Sequence, residues 1–428
     1  MEFFNPAQRL KKLRKQLNMK QQDFQDVDMT RSYYSMLENG KRNLGVDTAS
    51  KILEKFKIKA EKLGISLDID EKYLMMSPME EAKKYCLDNL EEDIDKEIAA
   101  ELINIARIYK LEEVGAEVYK TLGDIKYRNR NYDEAFLNYS LSVDLYKNTN
   151  NNKNMPYLYN RLGMCKFSVL ECTDSVMYFN RALYYSGIYK DETTSRYSIY
   201  NIAKCYKKLK KYDEAVHYID AFVSICNKSS NVEDYIHAQS LKANCLEKTG
   251  NIDDAILIYN ELLQEIPEIA APLKAYVYNN LGALYLKKDE LLESLDYFNK
   301  SQSIRSEVDR VNLSHTLIDK SEVYIKQKLY NEAIMLITLG IDMAKLYNDS
   351  EYLLSAYYFL VDIYTLIEDY DKVEENYTNI LSILKDRKDN NNLLKVYIKL
   401  CDFNFKRNNY EKAYEYLKLS QVLLEICY

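Results

Sequence analysis

Small and large side chains recur in a fixed order along most of the chain. From about residue 115 onward the sequence matches itself at a spacing of 39 or 40, as in "YNRLGMCKFSVLECTDSVMYF" and "YNNLGALYLKKDELLESLDYF". A small residue marks most units at Gly123, Gly163, Ala203, Ala243, Gly282 and Ser321, relaxing to Val361 and Cys401. Twelve positions later stands Ala135, Ser175, Ala215, Ala255, Ser294, Ala333, Val373 or Ala413. Four further on comes a large apolar residue: Tyr139, Phe179, Ile219, Tyr259, Phe298, Ile337, Tyr377 or Leu417. This order predicts pairs of antiparallel helices, in which small residues let two axes approach and the bulky residue seals the next interface. Eight such units predict a stacked solenoid, because each unit alone is too small to bury its own apolar face.

Ahead of the repeats the periods shorten. Residues 5–66 read as five short helices, roughly 5–17, 20–26, 30–38, 47–56 and 58–64. Within "QQDFQDVDMTRSYYSMLENGKR", Gln21 and Gln22 open one helix, and Asp28 and Met29 lie in the turn that follows. Thr30 supplies the hydroxyl of an N-cap, Tyr34 and Leu37 three apart face inward, and Gly40 fits the left-handed position after a helix. Ser66 to Asp70 reads as a short linker. After Pro78 come two amphipathic helices, a lever or a degenerate first repeat, whose charges such as "LEEDIDKE" form a solvated face.

Composition alters this picture in two ways. With 10 Gly, 5 Pro and no Trp but 41 Tyr, the chain should have few turns that need special backbone angles, and long helices with short connections. Tyrosine, half-buried with a wet hydroxyl, suits the seams between them. The net charge of −7 is unevenly placed: residues 1–66 hold 14 Lys and Arg against 8 Asp and Glu, a net of +6, which leaves −13 for the rest. A basic head on an acidic body predicts one phosphate-facing part and a remainder that avoids nucleic acid.

Candidate chemistry is sparse. The eight cysteines include no CxxC pair, and His217, His237 and His315 stand apart, so neither a metal nor a cofactor is expected. Cys165, Cys205 and Cys245 share one apolar column of the repeat and read as core. Without a nucleophile–base pair or a Gly-rich phosphate loop, an enzyme is not expected. No apolar run reaches 18 residues and the N-terminus has no signal-like apolar stretch, which predicts a reduced, cytoplasmic chain without a membrane partner.

The stretch "TRSYYSMLENGKR" resembles the XRE/Cro-repressor class of helix-turn-helix domains over about 60 residues. That resemblance implies a recognition helix opened by Thr30, with Arg31, Ser32, Tyr33 and Met36 projecting into the major groove and Arg31 suited to guanine. It also implies phosphate contacts from Gln21, Lys41 and Arg42. The 40-residue units, with "YDEA", "YNEA" and "YEKA" opening second helices, resemble the tetratricopeptide repeat. A right-handed superhelix is implied, whose concave face holds an extended peptide or a partner's helix.

On that face an amide ladder is expected from Asn160 and Arg161, Tyr200 and Asn201, Asn244, and Asn279 and Asn280. An asparagine both donates and accepts, so such a ladder can grip a peptide backbone whatever its side chains. Tyr157, Tyr197, His237 and Tyr276 should wall pockets beside it. Head and solenoid together resemble the RNPP class (Rgg, Rap, NprR, PlcR and PrgX-like proteins) of Gram-positive receptors, nearest to NprR-like members. Membership would imply a short re-imported signalling peptide that alters DNA binding, and a homodimer on a palindromic double-stranded site. The alternative is a repeat scaffold that sequesters a protein partner such as a response regulator. The expected fold is thus all-α: a five-helix helix-turn-helix domain at 1–66, linker and lever at 67–114, and about eight tetratricopeptide-like repeats at 115–428.

Overall fold

The computed structural model describes residues 2–26, 29–226, 231–265, 270–387 and 389–427. Asp28 of the expected turn lies outside them, as does the side chain of Cys427. The described residues are helical, without a strand, and fall into two compact units, 1–211 and 212–428.

In the first unit the head is built from α1 (Pro6–Gln16), a single 3-10 turn (Gln21–Phe24), α2 (Arg31–Glu38), α3 (Val46–Lys62) and α4 (Glu71–Met75). Its core gathers Leu10, Leu13, Phe24, Tyr34, Leu37, Ile52 and Phe56. Phe24 lies flat on Tyr34, with ring centroids 3.9 Å apart, and meets Phe56 edge-on at 5.2 Å. Five elements are present, though divided differently from expectation. The second is a 3-10 turn, and the two helices expected at 47–56 and 58–64 are one, because "KILEKFKIKAEK" holds no Gly or Pro and keeps Ile52, Phe56 and Ala60 on one buried face. The fifth element is α4, which gives Leu74 to the head core. Leu67 and Ile69, in the stretch read as linker, pack there too.

Next come α5 (Pro78–Asp88) and α6 (Lys96–Ile108), then the pairs α7 (Glu112–Arg128) with α8 (Tyr132–Asn148) and α9 (Met155–Ser168) with α10 (Cys172–Tyr189), and α11 (Glu192–Lys208). The second unit continues with α12 (Tyr212–Ile225), α13 (Val232–Lys248), α14 (Ile252–Glu265), α15 (Ala271–Lys287), α16 (Leu291–Val308) and α17 (Leu313–Lys326). It ends with α18 (Tyr330–Leu346), α19 (Ser350–Leu366), α20 (Tyr370–Asp386), α21 (Asn390–Lys406) and α22 (Tyr410–Cys427).

The repeat columns explain themselves in this packing. A Cβ on Gly123 would stand 2.6 Å from the Tyr139 ring, one on Gly163 2.7 Å from Phe179, and one on Gly282 2.9 Å from Phe298. The bulky residue sixteen positions on therefore closes its own helix pair, where the sequence had suggested the next interface. The cysteine column is buried, and burial pushes the Cys165 and Cys205 thiols up to about 12.

One expectation from composition fails. Among the described residues twelve non-glycine positions have positive φ, including Lys110, Arg130, Asn150, Leu170, Lys190 and Lys210, spaced by twenty at the ends of successive helices. The left-handed backbone costs such residues roughly 1–2 kcal/mol. Schellman-type bonds offset it, as where Asn131 N–H donates to the Lys126 carbonyl at 2.9 Å and Glu171 N–H to that of Lys166 at 2.9 Å. Tight caps are therefore frequent without glycine.

Candidate functional site

The exposed face of the head is set by two caps. Thr30 Oγ1 accepts from the Tyr33 N–H at 3.1 Å and fixes where α2 begins. At its far end Gly40 takes φ +70°, the Lys41 N–H donates to the Met36 carbonyl at 2.9 Å and the Gly40 N–H to that of Leu37 at 3.1 Å. Between the caps Tyr34 and Leu37 are buried, Tyr33 is half-buried against the core, and Arg31, Ser32 and Met36 are exposed. Lys41 and Arg42, just past the helix, are exposed as well. Arg31, Lys41 and Arg42 form no ion pair among the described residues, so three cations stand ready on one edge of the head.

Gln21 is placed differently from a free phosphate ligand. Its side-chain amide donates to Glu38 Oε2 at 2.8 Å. Arg14 grips the same carboxylate, Nε to Oε1 at 2.6 Å and Nη2 to Oε2 at 3.3 Å, while its Nη1 donates to the Met19 carbonyl. The bond to Glu38 holds the Arg14 guanidinium above its usual range. α1, the 3-10 turn and α2 are thereby locked into one angle, which fixes how α2 is presented. Nothing in the local sequence pairs Arg14 with Glu38, 24 positions on.

In the first unit, the first helices of successive pairs bring part of the expected constellation together. Tyr157 and Tyr139 both donate to Asp124 Oδ1, at 2.5 and 2.7 Å, and Arg161 Nε donates to the Tyr157 hydroxyl at 2.9 Å. The Arg161 guanidinium sits against the rings of Tyr157 and Tyr127, 5.0 and 5.5 Å from their centroids. Asn160 is turned away from any such cluster: it is buried, and its amide donates to Ser198 on α11 at 3.0 Å. On α11, Tyr197 is exposed, Tyr200 and Asn201 are half-buried, and Lys204 lies over the rings of Phe167 and Tyr200.

The second unit repeats the device. His237 meets the Tyr276 ring edge-on at 5.5 Å, and Asn244 is half-buried. Asn279, buried, donates to Asp319 Oδ2 on α17 at 2.7 Å, and Asn280 bonds back to the Tyr276 carbonyl of its own helix at 2.9 Å. Two rungs of the expected ladder, Asn160 and Asn279, thus tie one repeat to the next with their amides. Asp124, Lys204 and Asp319 were not anticipated; their periodic positions, in line with the ladder residues of neighbouring units, were the available signal.

Burial raises the Asp319 carboxyl to about 6, with the Asn279 amide opposing. The folded chain therefore holds that proton more tightly than the unfolded chain between about pH 4 and 6. Stability should fall as pH rises through that window, and Asp319→Asn should make the decline shallower. Urea midpoints at pH 4 and 6.5 for both proteins check this; parallel profiles would show the group is not responsible.

Residues 10–66 match the helix-turn-helix family, and residues 197–229 and 275–307 match the tetratricopeptide repeat. These matches cover the head and two stretches of the repeats, less than half of the chain. A TPR repeat-containing protein of Methanocaldococcus jannaschii, MJ1428, is 27% identical to it over 339 residues, 76% of this chain and 53% of the relative. Response regulator aspartate phosphatase A of Bacillus subtilis is 25% identical over 228 residues, 50% of this chain and 57% of the relative. The chain thus spans little more than half the length of these curated relatives. The apo form of the quorum sensor NprR from B. thuringiensis shares the fold, with 19% identity, a TM-score of 0.52, and coverage of 81% of this chain and 97% of that one. No helix among its described residues is long and apolar enough to cross a membrane, and none of them form a cluster of three or more metal-ligating side chains.

Proposed function

We propose that this chain is a cytoplasmic transcriptional regulator that binds double-stranded DNA through α2 and is controlled by a short signalling peptide held on the repeats. The observation that carries the first half is the doubly capped α2, with Arg31, Ser32 and Met36 exposed and Lys41 and Arg42 beside them. A helix presented in this way offers base-reading side chains along its first turns and phosphate neutralisation at its end. The paired Tyr157 and Arg161, and His237 and Tyr276, support the second half. A homodimer would set two such heads on a palindrome. The peptide acts by binding one arrangement of the chain better than another, and a coupling of roughly 5- to 150-fold is typical of such switches.

Arg31→Ala should weaken binding to its preferred DNA fragment by about 1–3 kcal/mol. A mobility shift on fragmented genomic DNA, run at one fixed salt concentration for parent and variant, measures it. The name of the B. subtilis relative favours a second reading, a scaffold that holds a response regulator. DNA binding that is absent, or indifferent to Arg31, would support that scaffold.

A further inference from the structure

The N-terminal residues belong to a different core from the helix they lead into. Phe3 is buried with Cys86 of α5, Leu102 of α6, and Val114 and Val118 of α7, rather than with the head core around Phe24. α7 is the first helix of the repeats. The arm at residues 2–5 therefore reaches from the packing of the repeats to the start of α1.

No slack separates the two. Asn5 closes a reciprocal cap on α1: its Oδ1 accepts from the Gln8 N–H at 2.8 Å, and Gln8 Oε1 accepts from the Asn5 N–H at 3.0 Å. Glu81 Oε2, on α5, accepts from both the Phe4 N–H, at 3.0 Å, and Arg9 Nη2, at 2.7 Å, so one carboxylate holds arm and helix together. Five residues on, Arg14 grips Glu38 at the end of α2. α1 is thus bonded to α5 near one end and to α2 near the other. A head tied to its neighbour only by the chain from α4 to α5 could pivot on that connection; a second tie through Phe3 removes the pivot.

We infer that Phe3 is a positioning residue for DNA recognition: through the arm and α1 it makes the orientation of α2 follow that of α7. The inference rests on the DNA-binding reading above and adds the route by which the repeats set the head. Any ligand that binds one arrangement of α7 better than another thereby biases α2 as well.

The test uses the full chain as parent, Phe3→Ala and Phe3→Leu. Each is carried through rounds of selection from random-sequence duplex DNA, and the recovered sites are read for half-site sequence and for the spacing between half-sites. All three should recover the same half-site, because Phe3 lies outside the head core. Parent and Phe3→Leu should accept one spacing. Phe3→Ala should accept several and bind the parent's full site about ten- to a hundredfold more weakly, with affinity for an isolated half-site within about twofold of parent. One unchanged spacing with undiminished full-site affinity in Phe3→Ala would overturn the inference. So would an equal loss on isolated half-sites, which would place Phe3 in support of the head's own fold. Backbone amide relaxation measured by NMR judges the tie without DNA: amides of α2 should tumble with those of α7 in the parent and faster in Phe3→Ala. Separate tumbling in the parent, or no change in the variant, would overturn the tie. If the parent selects no DNA, or single half-sites alone, the DNA or dimer reading fails and relaxation still decides whether Phe3 holds the head.

Discussion

Arg9→Met is expected to cost about 3–5 kcal/mol of stability, the range for breaking a buried ion pair by removing one partner. Arg9 is 1% exposed, yet its guanidinium satisfies acceptors on three separate segments. Nη1 donates to the carbonyls of Tyr73 and Met76, both at 2.7 Å, and Nη2 donates to the Phe4 carbonyl and to Glu81 Oε2, also at 2.7 Å. Its plane lies 4.8 Å from the centre of the Tyr73 ring. Methionine would fill much of the volume but leave the Glu81 carboxylate without its cation and the end of α4 without donors. Lysine should rescue little, because a point charge cannot reproduce a planar fork that serves five acceptors, the Leu74 carbonyl at 3.3 Å included. Denaturant midpoints of parent, Arg9→Met and Arg9→Lys decide this; a loss below about 1 kcal/mol for methionine would show that water replaces the guanidinium at little cost.

The same residue shows how the head is attached. Phe3 packs its ring against Tyr85 and Tyr109, with centroids 5.6 and 5.4 Å away, and the Phe4 N–H donates to Glu81 at 3.0 Å. The head is therefore joined to α5 and α6 by its N-terminal residues as well as by the connecting chain. A flexible joint at 66–70 would transmit little, whereas a stapled one carries a displacement of α5 into α1.

Features whose cause is local or periodic were legible before any coordinates. Thr30 and Gly40 announce a helix start and stop because capping depends on a few adjacent residues, and both take those positions. The small and bulky columns were legible because the repeat writes them eight times. What failed to show were choices made between distant partners. Arg9 meets Glu81 across 72 positions, and Asp124 collects hydroxyls from α8 and α9, pairings that no periodicity encodes. Asn160 and Asn279 sit where an amide ladder was expected, but the next helix offers Ser198 and Asp319 within reach of their amides, and those bonds take precedence. The left-handed caps escaped notice because Lys, Arg and Leu carry no mark of the conformation they adopt.

Phe179→Ala should destabilise the first unit by about 3–5 kcal/mol, the usual cost of emptying a buried phenylalanine site. Its ring is 1% exposed and lies over Gly163, with Cδ1 and Cε1 where a Cβ would come within 2.7 Å. Gly163→Ala must then push that ring aside, for a loss of roughly 1–3 kcal/mol that exceeds what alanine gains in a helix. Gly187 on α10 provides the contrast: a Cβ there meets nothing within 4 Å. Gly187→Ala should therefore stabilise by about 0.5–1 kcal/mol. The decisive measurement is the pair. Once Phe179 is alanine the clash is gone, so adding Gly163→Ala should become neutral or stabilising, and the two losses should fail to add. Chemical denaturation of both singles and the double gives the coupling directly, and additive losses would mean that some contact other than this ring holds position 163 to glycine.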